Sequence, residues 1–111
     1  MGTTLPTLED HVMSFTWNPD GDLTTALAKV RLRIGDTDSS YPIFTDAEIN
    51  GVLTWTAETT TFDITVGILM MVMGTDPDRM IVMRNAISGS IPLIALMNDY
   101  ADRARGYFSN G

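Results

Sequence analysis

Apolar positions along the chain recur at helical spacing in most segments. Leu23, Leu27, Val30 and Ile34 follow an i, i+4, i+7, i+11 stripe, which predicts a first helix over Leu23–Ile34. Asp22 stands where an N-cap belongs, and Gly35 where a left-handed C-cap belongs. Leu32 points nearly opposite the stripe, towards solvent or a second contact surface. Lys29, Arg31 and Arg33 fall on its flanks near the helix C-terminus, where cations suit the macrodipole.

Thr45-Asp46-Ala47-Glu48 is a capping box, the strongest local signal in the chain. It opens a second helix, with Phe44 and Ile49 as the hydrophobic staple. Ile49, Val52 and Leu53 then face inward, and Trp55 falls off that stripe. Gly51 and the Thr-rich run 54–61 weaken this helix and leave its end undefined. A third helix, Asp63–Met73, is apolar almost all round, and such a helix is covered on every side. Either it is the centre of a small bundle or another subunit covers part of it. Met70, Met71 and Met73 are candidates for that subunit contact.

Asp76-Pro77-Asp78 opens a short fourth helix over Pro77–Ile87. The alternative is a β-hairpin in which Met80–Arg84 returns through Ala86–Ile91. A last helix, Pro92 to about Phe108, buries Leu93, Leu96, Met97, Tyr100, Ala101 and Ala104, and pairs Asp99 with Arg103 at i, i+4. Its aromatic end, Tyr107 and Phe108, is either core or a binding face. The fold class is mainly α: a bundle of about four helices over residues 22–111. An N-terminal arm over residues 1–21 precedes it. The arm carries Phe15 and Trp17 and ends in the turn sequence Asn18-Pro19-Asp20-Gly21. It is either a loosely docked terminus or an extended arm that packs Phe15 and Trp17 on a neighbour.

Composition narrows the chemistry. The 111 residues contain 14 acids, 7 bases, one histidine and no cysteine, for a net charge of −7. Disulfides, thiolate catalysis and Cys-ligated metals are therefore excluded. A charge of this sign opposes a sequence-independent grip on nucleic acid or anionic lipid. The N-terminus lacks the basic start and apolar core of a signal peptide. The most apolar run, Ile64–Met73, falls short of the roughly 20 residues that span a bilayer.

The connection Gly35–Phe44 alternates Asp36 and Asp38 in the manner of a calcium loop. Tyr41 and Ala47 stand where such a loop needs Gly and Glu, so the match fails. Asp36 and Asp38 are expected to accept local backbone N–H groups instead. His11 has only Asp10 beside it. No catalytic, cofactor-binding or metal-ligating set is found, and the expectation is a non-enzymatic protein without cofactors.

Val30–Ile49 reads VRLRIGDTDSSYPIFTDAEI. It resembles the N-terminal signature of the head–tail connector (adaptor, head-completion) proteins of tailed bacteriophages. In these an Arg-containing helix ends in an IGDTD loop and continues through P-x-F-[ST]-D-x-E-I into a second helix. Here Ile34–Asp38 and Pro42–Ile49 supply both parts, over roughly a quarter of the chain. The third helix departs from the family's pattern, being Met-rich with Gly67 where members are more Ala-rich.

The resemblance implies a mostly helical virion protein that forms a ring, typically a dodecamer, under the portal. Such a ring extends the DNA channel, joins head to tail through a tail-side connector or tail terminator, and has no enzymatic activity. DNA passes without sequence-specific binding, and no membrane is involved. Phe15, Trp17, Leu32, Trp55, Tyr107 and Phe108 join the three methionines as candidate interface residues. Two other readings stay open: a small helical regulatory protein acting as monomer or dimer, and an acidic DNA mimic.

Overall fold

Thr25 opens the first helix through its side chain: Oγ1 accepts the Ala28 N–H at 3.1 Å while the Thr25 backbone is extended. The computed structural model describes residues 15–17, 23–87 and 89–109. Among the described residues there are five helices and no strand: α1 (Ala26–Ile34), α2 (Asp46–Thr56), α3 (Asp63–Thr75), α4 (Pro77–Ala86) and α5 (Leu93–Ser109). The expected Asp22 cap and His11 lie outside the described residues. The helix starts three residues later than the apolar stripe predicts, and Leu23 precedes it, exposed. At the other end Gly35 takes φ +80° and donates to the Arg31 and Leu32 carbonyls, as its C-cap position predicts.

The capping box of α2 forms in full: Glu48 N donates to Thr45 Oγ1 at 3.1 Å and Thr45 N donates to Glu48 Oε1 at 2.9 Å. The staple residues Phe44 and Ile49 are both in the core. The helix runs to Thr56 and ends on Ala57 in the left-handed conformation, φ +56°.

α3 is the central element and packs on each of the other four helices, most extensively on α5. Its all-round apolarity is therefore largely used inside one chain. Met70 and Met73 are 2% and 0% exposed, which corrects the expectation that they face another subunit: they are core residues. Met71 is partly buried against the same core. Two glycines let α5 come close. A Cβ at Gly74 would lie 2.8 Å from the Ala101 backbone nitrogen, and one at Gly67 would lie 3.0 Å from Tyr107 and Phe108.

α3 has no side-chain N-cap of its own; the Glu58 carboxylate, outside the helix, accepts from Ile64 N, Thr65 N and Thr65 Oγ1. Asp76 then separates α3 from α4 and caps the latter, accepting Asp78 N at 3.0 Å with Pro77 in the first turn. This cap favours helix over hairpin for Met80–Arg84, and Met80 and Met83 go into the core.

Candidate functional site

Three charged residues of the Val30–Ile49 segment, Arg31, Asp36 and Asp46, meet in one junction. Arg31, on α1, is 0% exposed. Its Nη1 donates to Asp36 Oδ2 at 2.7 Å and to the Phe44 carbonyl at 3.0 Å. Nη2 reaches Asp46 Oδ1 at 2.8 Å, and Nε reaches the Thr16 carbonyl at 3.1 Å. The Phe15 ring covers the guanidinium at 3.7 Å. Arg31 thus has four acceptors and an aromatic lid, an environment that uses most of its forked donor set.

The same junction solves a backbone problem. Ile43 and Phe44 are buried outside any helix, so their N–H and C=O groups need partners. Asp36 accepts Ile43 N at 3.0 Å and Phe44 N at 2.9 Å. Arg31 takes the Phe44 carbonyl, and Arg79 of α4 takes the Ile43 carbonyl. Arg79 also pairs with Glu48 at 2.6 Å and Asp76 at 3.2 Å, and lies 4.5 Å from the Phe44 ring centroid. All four polar groups of this dipeptide are thus met by charged side chains, from within by Arg31 and Asp36 and from outside by Arg79.

The charges respond to these surroundings. Burial pushes the Asp36 carboxyl up, against the pull of the Phe44 and Ile43 amides and of Arg31. Asp46 moves down: partial burial opposes it, but Thr16 and Arg31 prevail. Glu48 also moves down, against its own desolvation, through Arg79 and the Thr45 amide.

What the junction does chemically is hold backbone that lies outside the helices. Asp46 accepts Thr16 N at 2.8 Å and Thr16 Oγ1 at 2.6 Å, while Arg31 donates to Thr16 O. Phe15 and Trp17 are half-buried on the chain that carries them. Phe15 therefore has a partner in its own chain, where the expectation offered a loose terminus or a neighbour. Asp36 meets its expected local role, and Asp38 accepts Ser40 N at 2.9 Å. Among the described residues no group of acidic or imidazole side chains could hold a metal.

The other sequence-derived candidates lie elsewhere. Leu32 is 54% exposed, Trp55 75% and Phe108 43%, on three different helices. Tyr107 is partly buried, with the Arg33 guanidinium 5.1 Å from its ring. With Arg33, Arg103, Gly106 and Met70 it lines an open groove of about 330 Å³. Both groove arginines are paired, Arg33 with Asp63 at 2.8 Å and Arg103 with Asp99 at 3.0 Å. Sequence reasoning placed Arg31 on a helix flank, as a cation suited to the macrodipole, and did not single out Arg79, Glu58 or Thr16. For Arg31 a signal exists: it follows Leu27 by four residues, at the margin of the buried stripe. The comparisons with protein-family models, curated proteins and solved structures give no match to this chain.

Proposed function

We propose that this chain is a structural head–tail adaptor of a tailed phage. It forms a ring beneath the portal that extends the DNA channel and meets a tail-side connector or tail terminator, without catalysing a reaction. The observation that carries the reading is the Arg31–Asp36–Phe44–Asp46 junction. Capping grammar alone explains Thr45 and Glu48, and would occur in unrelated helices. Arg31, Asp36 and Phe44 are tied by contacts that span the whole segment. The residues that carry the resemblance therefore work as one folded unit.

Two further features fit a ring. Leu32 and Trp55 offer large apolar surface that the described residues leave uncovered. A net charge of −7 on a channel protein would repel DNA and let it slide.

The test is mass photometry of the chain alone and mixed with the portal protein encoded in the same genome. The expected result is a ring-sized species, or a monomer that adds to portal rings in a fixed multiple. A compact monomer or dimer that never joins portal would overturn the reading and favour a regulatory protein.

A further inference from the structure

Arg84 is the one base whose side chain has no partner among the described residues. Arg31, Arg33, Arg79, Arg103 and Arg105 are ion-paired with acids, and the Lys29 ammonium lies 6.0 Å from the Phe62 ring centroid. Arg84 stands in the last turn of α4, where the helix dipole suits a cation. The dipole gives its guanidinium no acceptor, however. Nε is buried and unmet, while the Nη nitrogens stay open. A donor left in this state beside apolar side chains costs free energy that a carboxylate at the open Nη edge would offset. The surroundings are apolar. Ile81 and Ile87 stand three residues before and after Arg84, at the spacing of neighbours on one helix face, and both are exposed. The chain then folds back: Gly89, at φ +70°, donates its N–H to the Arg84 carbonyl at 2.7 Å. That turn brings Ile91 to the same corner, with Ile94 one turn further along, and both are exposed. Between Arg79 and Asp99 no residue but Arg84 is charged.

We propose that this α4–α5 corner docks an apolar segment of another protein that presents one Asp or Glu carboxylate to Arg84. Charge decides the occupant. A lone guanidinium among exposed isoleucines is complementary to a lone carboxylate among apolar side chains, and arginines in such settings are common binding anchors. A nucleic acid, an anionic lipid surface or a strongly acidic protein is repelled by the chain's charge of −7, which one cation does not offset. A segment without any acid would cover Arg84 and bury its charge unpaired. A segment with one acid and a few large apolar side chains meets both conditions. The inference rests on this corner alone and stands or falls apart from the adaptor reading.

The test selects displayed peptides on the immobilised full chain. The peptides have about twelve residues, enough for apolar anchors at i, i+3, i+4 and i+7, and a central residue that is Glu, Gln or Lys. Glu peptides should be enriched over the other two sets. Titrated into the isotope-labelled chain, the best of them should move the amide signals of residues 81–94. Arg84→Gln should weaken its binding about tenfold, as loss of an arginine anchor does, and Ile91→Ser several-fold. Arg103→Gln, whose guanidinium is already paired with Asp99, should leave binding unchanged. Should Arg84→Gln fail to fold, the peptide's own Glu→Gln change, measured on the unaltered chain, carries the same test and should cost the same tenfold. Selection of no binder, binding indifferent to the Glu, or shifts centred outside this corner would each overturn the proposal. Shifts at the corner when the chain alone is concentrated would give the surface to a second copy and overturn it too.

Discussion

Arg31 has no solvent contact and so depends wholly on its acceptors. Removing one partner of a buried pair leaves the other charge uncompensated, at a cost of about 3–5 kcal/mol. Arg31→Met should therefore lower unfolding stability by about that amount in urea titrations. Arg31→Lys keeps the charge, but its compact ammonium cannot reach Asp36, Phe44, Asp46 and Thr16 together. It should recover only part of the loss, whereas full recovery would mean that charge alone matters. The acid sensitivity can be placed as well. Asp46 and Glu48 are held below their ordinary values, so they contribute stability above the usual carboxylate range that is lost as pH falls through their lower folded values. Asp36, raised by burial, works in the opposite sense. The unfolding midpoint should drop as pH falls below about 4, and Asp46→Asn should flatten that fall. An unchanged slope would place the acid sensitivity at other groups.

At the scale of elements, two glycines in helices make opposite predictions. A Cβ at Gly51 of α2 meets nothing within 4 Å, so Gly51→Ala should stabilise by about 0.5–1 kcal/mol through helix propensity. At Gly74 the same atom would meet the Ala101 backbone at 2.8 Å, and backbone cannot rotate away. Gly74→Ala should destabilise by about 1–3 kcal/mol by prising α3 from α5. Thermal melts of both variants check the pair, and equal signs would mean the α3–α5 spacing is misplaced. Sequence made the exposed glycine readable as a weak point in α2, but gave no sign that Gly74 meets another helix, because its partner lies 27 residues on. The same division runs through the elements. Caps written in neighbouring residues, such as Thr45 with Glu48, were legible. So was the Gly35 stop, and so was the i, i+4 pair Asp99–Arg103, which forms at 3.0 Å. Glu58 capping α3 and Arg79 reaching Glu48 depend on chain folding back, and no local pattern announces them. Arg31 stood beside a readable stripe, yet its partners Asp36, Asp46 and Thr16 come from three separate segments. Arginine is so seldom fully buried that a helix flank is its ordinary place.

On the whole molecule, the interior takes up four methionines but not every large apolar side chain. Met70, Met73, Met80 and Met83 fill the core between α3, α4 and α5. Trp55 at 75%, Ile94 at 66% and Leu32 at 54% exposure stay outside it. A folded chain gains little from apolar side chains in this position, so replacing them tests whether association uses them. Surface substitutions away from caps and buried networks change stability by no more than about 0.5 kcal/mol. Trp55→Ser and Leu32→Ser should therefore leave the melting curve of the isolated chain nearly unchanged. If these side chains are covered in the proposed ring, sedimentation velocity should show the high-mass species reduced at least tenfold in the double variant. That reduction corresponds to about 1.4 kcal/mol of lost contact, well within what burying an indole and a leucine can supply. Charge sets a second condition on the same measurement. Copies carrying −7 each repel one another, and raising salt screens that repulsion over a Debye length of about 10 Å at 0.1 M and less above it. If the chain forms the proposed ring, that species should thus gain population as salt rises, because apolar contacts survive screening and the opposing repulsion does not. An oligomer that instead dissolves in salt would be held by ion pairs. Trp55 and Leu32 would then be incidental to it.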